Sequence, residues 1–124
     1  MAKLLDGTTL TDEQQQFFND SMVFLSTSDT TGHPQLGPKG SLHVLDANHL
    51  IYFEYTFDHA YANVKANDHV AAAAWDVKNH LAFRVNGTAH LHEDDDFAKK
   101  ALEGSKLDHA AVVVIDVEQI FALA

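Results

Sequence analysis

At 124 residues the chain can build one hydrophobic core and has no room for a second. Its formal charge of −10, from 18 acidic and 8 basic residues, argues against nucleic acid and anionic membrane surfaces, which are gripped through lysine and arginine. With no cysteine there is no disulfide framework and no thiolate chemistry, and no apolar run approaches the ~20 residues of a membrane span.

The N-terminal Met-Ala-Lys-Leu-Leu-Asp lacks the long apolar segment of a signal peptide, so a cytoplasmic protein is expected. Thr11-Asp12-Glu13-Gln14 fits a capping box, with Thr11 as N-cap and Gln14 reaching back to it. A short helix to about Asn19 follows, with Phe17 and Phe18 to pack it down. Met22 to Ser28 reads as a strand with both faces partly apolar, and Ser28 to Gly32 is turn chemistry.

A second strand is expected over Ser41 to Leu45, with Leu42 and Val44 on one face and Ser41, His43 and Leu45 on the other. It is preceded by Gly37-Pro38-Lys39-Gly40-Ser41, a composition that weakens a strand ladder. Two glycines let a backbone approach something flat, and the lysine and serine add a charge and a hydroxyl. The segment reads either as a strand opening shaped for a ligand or as a bulge on an edge strand.

Asp46 to Asn48 is a tight turn and Leu50 to Thr56 a third strand, which together imply an antiparallel meander. Phe57 to Ala66 changes to helical spacing. Its first turn is an anion site by virtue of free amides and the helix dipole, with Thr56, His59 and Asn63 nearby; Asp58 is the competing cap. Val70 to Asp76 is a strand of small residues ending in Trp75, and its alanines leave space beside the sheet. Leu81 to Leu91 is either a hairpin turning at Asn86-Gly87 or one long strand bent at Gly87.

Asp94 to Asp96 caps a third helix that Gly104 stops, Ala111 to Val117 is the last strand, and Ile120, Phe121 and Leu123 form an apolar tail suited to burial in a partner. His90 and His92 share a strand face, as a metal pair or as solvent-facing histidines, and no further ligand spacing is set. The sum is a mainly β domain, 1–124, of six or so antiparallel strands with three short flanking helices, closed or nearly closed into a barrel.

Taken together, Phe24 to Asp29, Gly32-His33-Pro34, Gly37 to Ser41, Val44-Leu45-Asp46, Asn63 to Ala71 and Phe83 to Ala89 resemble, in order and spacing, the pyridoxamine 5′-phosphate oxidase-like family of FMN-binding split barrels. The resemblance covers about residues 20 to 120 and is closest to the short single-domain members. It implies a six-stranded antiparallel split barrel, a homodimer with FMN in two clefts between subunits, and one long strand kinked at Gly87. On the family pattern Pro38, Lys39, Gly40 and Ser41 lie along the isoalloxazine. Tyr55, Thr56, His59 and Asn63 hold the phosphate and ribityl chain, and Trp75 and Phe121 form the wall supplied from the partner.

Two departures follow from the residues. Relatives commonly place lysine or arginine on the phosphate near His59, so here a weak or pH-dependent FMN affinity is expected, with Lys39 carrying more of the charge. No arginine follows Arg84, so the basic C-terminal grip of true pyridoxamine phosphate oxidases is missing and that activity is not expected. The resemblance implies a small flavin-dependent oxidoreductase. The alternatives are an FMN carrier or electron-transfer protein, a haem-binding split barrel using one of the nine histidines, and a dimer without cofactor.

Overall fold

The computed structural model describes residues 2–107 and 109–124. Its elements in chain order are β1 (Lys3–Leu4), α1 (Asp12–Asp20), β2 (Phe24–Ser28), β3 (Pro34–Pro38), β4 (His43–Asp46), β5 (His49–Glu54), α2 (His59–Ala66), β6 (His69–Asp76), β7 (Leu81–His92), α3 (Asp96–Ala101) and β8 (Ala111–Ala122). All strand pairs are antiparallel, and the sheet runs β3-β2-β6-β7-β8-β5-β4 with β1 added on β8.

The split-barrel class expected from the sequence is present, with eight strands rather than six. One extra strand is the two-residue β1. The other arises because the stretch from Pro34 to Asp46 is not one strand. Its first part pairs with β2 and its second with β5, so it supplies both ends of the sheet. The simple meander is therefore broken between β3 and β4. Only residues 39–42 join these two edges, and so short a connection spans at most about 18 Å. The chain itself draws the sheet edges together at this corner, with the amide of Lys39 on the carbonyl of Val23 at 2.9 Å.

β7 is one strand. Its pairing with β8 slips between Asn86 and Gly87, which leaves Glu118 as the extra residue of a bulge. Gly87 has no alternative there, because a Cβ would collide with the carbonyl oxygen of Asp116 and the side chain of Ile115. The expected apolar tail is also corrected. β8 continues to Ala122, and Ile120 is buried in the chain's own core, paired opposite Val85.

The core explains the composition of the strands. Phe18, Leu25, Tyr52, Val85, Ile115 and Ile120 fill the barrel interior. Val112 and Val114, on the opposite face of β8, pack with Ile51 and Ala98 of α3. β8 is thus covered on both faces, which is why its sequence is a continuous β-branched run rather than an alternation. α1 starts with the complete Thr11/Gln14 capping box and seats Phe17 edge-on to Phe83 at 5.2 Å.

Candidate functional site

The β3–β4 corner forms one wall of a cavity of about 260 Å³, and the end of β5 with the approach to α2 forms the other. Pro38, Lys39, Gly40, Ser41, Tyr55 and Thr56 all line it. Four sequence-predicted residues lie elsewhere. His59 is exposed on the first turn of α2 and is not in the lining. Asn63 is tied to β2 through its amide, which donates to Thr27 Oγ1 at 3.0 Å. Phe121 carries the guanidinium of Arg84 4.2 Å above its ring. Trp75 is 70% exposed and stands with Met22, Phe24 and Val77 on a separate, open apolar groove of about 1260 Å³. That groove runs over Ala73 and Ala74, where the small side chains leave room beside the sheet.

Glu54 governs the electrostatics of the small cavity. It is 1% exposed at the end of β5. Its Oε1 accepts from Lys39 Nζ at 3.2 Å. Its Oε2 accepts from the Thr56 amide at 3.2 Å, the Thr56 hydroxyl at 3.0 Å and the Phe57 amide at 3.2 Å. A buried carboxylate is sustained only by such a set of donors and a cation. Phe57 sits at φ +53°, so the chain bends sharply to aim these groups at Glu54. Lys39 also lies 5.3 Å from the centre of the Tyr52 ring. The Tyr52 hydroxyl is buried without a partner, and burial, with the charge of Glu54 added, pushes this phenol above its ordinary range.

Asp58 occupies the N-cap of α2 but its side chain makes no cap bond. The competing plain-cap reading of Asp58 is therefore corrected. Glu54 takes the donors of the turn just before the helix. Sequence reasoning passed over Glu54, although its parity was visible: it falls two and four residues after Tyr52 and Leu50, on the inward face of β5. The Ser41 hydroxyl is likewise committed, donating to the Phe53 carbonyl at 3.2 Å and accepting from the Phe53 amide at 2.9 Å. It pins the corner to β5.

The histidines are distributed away from this cavity. His69, His90 and His92 line a groove of about 700 Å³ beside the end of α2, with Lys65 at its edge. His90 contacts Asp116 at 2.8 Å and His92 contacts Asp95 at 2.9 Å. Among the described residues no cluster of three or more histidine or acidic side chains is placed to hold a metal ion.

Comparison with known proteins fits this geometry. The sequence pattern of pyridoxamine 5′-phosphate oxidase matches residues 10–124. The chain belongs to this family. A candidate pyridoxamine 5′-phosphate oxidase from Lactobacillus delbrueckii is 48% identical over 97% of this chain and 99% of its own, with a TM-score of 0.93. An FMN-binding protein from Syntrophomonas wolfei (17% identity, 90% and 85% of the two chains, TM-score 0.73) shares the fold. So does HutZ, the haem storage protein of Vibrio cholerae (15% identity, 92% and 94%, TM-score 0.69). No curated protein matches the chain.

The residues fit the two ends of FMN differently. Gly37 and Gly40 face open space, with no atom within 4 Å of where a Cβ would stand, so a flat ring can approach the corner backbone. The phosphate end does not fit as arranged. The cation, hydroxyl and two amides suited to it already serve Glu54, and Asp58 adds a second acidic group to the lining.

Proposed function

We propose that this family member binds a flavin, FMN or riboflavin, by seating the isoalloxazine against the corner formed by Pro38, Lys39, Gly40 and Ser41, and that it works as a small flavin-dependent oxidoreductase. The observation that carries this reading is the glycine-walled corner opposite a buried Lys39–Glu54 pair. It combines a flat approach with an ion pair beside it. The bound ring would supply the hydride or electron transfer. The chain supplies position: Ser41 fixes the corner to β5, and the Lys39–Glu54 pair sets the charge beside the ring site.

A cavity of about 260 Å³ is smaller than most complete ligand sites, which supports completion of the site by a second subunit. We propose a homodimer, paired through the exposed groove of Met22, Phe24, Trp75 and Val77, with Trp75 and Phe121 as the residues offered across the interface. No described helix is long and apolar enough to cross a membrane, and a cytoplasmic location is part of the proposal.

Haem binding is the second reading. It is favoured by the groove lined with His69, His90 and His92, with Lys65 among its lining residues. His90 and His92 are held by Asp116 and Asp95, which makes His69 the first choice of axial ligand. The test is an absorbance spectrum of the purified protein after incubation with FMN, with riboflavin, and separately with haem, each followed by desalting. Retained flavin bands support the flavin reading. Flavin lost in desalting, with a Soret band that disappears in His69→Ala, replaces it with the haem reading. NAD(P)H consumption by the flavin-loaded protein separates an enzyme from an electron carrier.

A further inference from the structure

We propose that Glu54 is a resident anion that occupies the phosphate-type donor set of this cavity, and that it makes the site select ligands by their flat ring while rejecting a phosphate monoester. The donor set is complete. It holds one ammonium, one hydroxyl and two successive backbone amides, all within 3.2 Å of the two carboxylate oxygens. Free, that set would be an oxyanion site, since consecutive amides and a lysine are the usual means of holding phosphate. Here it is filled from inside the chain.

Three features keep it filled. The carboxylate is tethered to the end of β5 and 1% exposed, so an external anion competes with a group already in place. Lys39 supplies a single positive charge, which Glu54 neutralises; a phosphate dianion would add two negative charges beside that carboxylate. Asp58 lines the same cavity, and His59 does not reach it. No cation is left over among the lining residues to offset the incoming charge. The ring wall at Gly37 and Gly40 is untouched by this arrangement. The ligand class is therefore a planar heterocycle without a phosphate at the β5 end, of the riboflavin type rather than the FMN type.

The experiment is a titration of the full-length, isotope-labelled protein with inorganic phosphate, following the amide resonances of Thr56 and Phe57. In the wild type these signals stay in place. In Glu54→Gln, which frees Lys39 and the turn donors, they shift saturably, and the added substitution Lys39→Met abolishes the gain. Saturable shifts of both amides in the wild type would overturn the proposal, as would a folded Glu54→Gln protein with no gain. Should Glu54→Gln fail to fold, the wild-type titration decides.

A second arm, which rests on the flavin reading, compares riboflavin with FMN by quenching of flavin fluorescence. The wild type binds riboflavin about tenfold more tightly than FMN, and Glu54→Gln removes or reverses that preference. Wild-type binding of FMN as tight as that of riboflavin, or tighter, contradicts the proposal. If neither flavin binds, the flavin reading fails, while the phosphate titration still decides what Glu54 does.

Discussion

Lys39 is the cation paired with the buried Glu54 carboxylate, and the carboxylate depends on it. The Lys39 side chain is 16% exposed and Glu54 only 1%, so removing the cation strands a carboxylate in the interior. Lys39→Met should lower the unfolding free energy by about 3 kcal/mol, at the low end for a broken buried pair because three donors to Glu54 remain. Urea denaturation measures this, and a loss under about 1 kcal/mol would show that the pair matters little to stability. The lysine was legible in the sequence from its setting between two glycines. Its partner was not singled out, because an acidic residue ending an apolar strand looks like the start of a turn until its parity with Leu50 and Tyr52 is followed inward.

Asp29 shows the opposite case, an exposed carboxylate held by its own turn. Its side chain accepts from the Thr31 hydroxyl at 2.8 Å and the His33 amide at 3.0 Å, and these bonds lower its pKa from 3.8 to about 2. The folded value lies below the unfolded one. The stabilisation is therefore fully present above about pH 4 and is lost as pH falls through 2. A carboxyl titration followed by NMR should give a midpoint near 2 for Asp29. Asp29→Asn should remove this share of the acid sensitivity. A midpoint at the ordinary value of 3.8 would mean the turn is not closed in solution.

At the scale of elements, the two N-termini of α1 and α2 invite a direct contrast. Thr11 caps α1 with both halves of the box in place, the Gln14 amide on its hydroxyl at 3.1 Å and its own amide on Gln14 Oε1 at 2.9 Å. Thr11→Ala should cost about 1 kcal/mol. Asp58 stands at the same position of α2 without a cap bond, so Asp58→Ala should lie within about 0.5 kcal/mol of the wild type. A cost for Asp58→Ala as large as that for Thr11→Ala would return it to the role of cap.

The local elements were readable because their signals are local: the box at Thr11, the helical spacing around Ala60 and Val64, the β-branched run of β8. The corner was not. Whether Pro34 to Asp46 forms one strand or two depends on which neighbours it finds, and those are β2 on one side and β5 on the other. Nothing in the composition of the stretch states that its halves serve opposite edges of the sheet. The Asn86-Gly87 ambiguity has a similar origin. Its resolution lies in the close approach of Asp116, some thirty residues away in sequence, which only a glycine admits.

For the molecule as a whole, charge and apolar exposure pull in different directions. A chain carrying −10 resists pairing with its own copy through long-range repulsion. The Met22–Trp75 groove supplies the apolar area that would favour it. If that face joins two copies, Trp75→Glu should convert a dimer into a monomer in sedimentation, and raising salt should tighten the wild-type dimer by screening. A wild-type monomer at all salt concentrations, or a Trp75→Glu dimer, removes this face from the interface. The class of fold was legible at this scale from alternating strands and short turns. The number of strands was not, since β1 is a two-residue pairing with no pattern of its own.

The proposed seat of the flavin ring is the β3–β4 corner. Mapping amide shifts on adding riboflavin to the labelled protein tests that placement. The largest saturable changes should fall on Gly37, Lys39, Gly40 and Ser41, with Phe53 to Thr56 across the cavity following them. Changes confined to the Met22–Trp75 groove, or to the groove of His69, His90 and His92, with the corner unmoved, would contradict it.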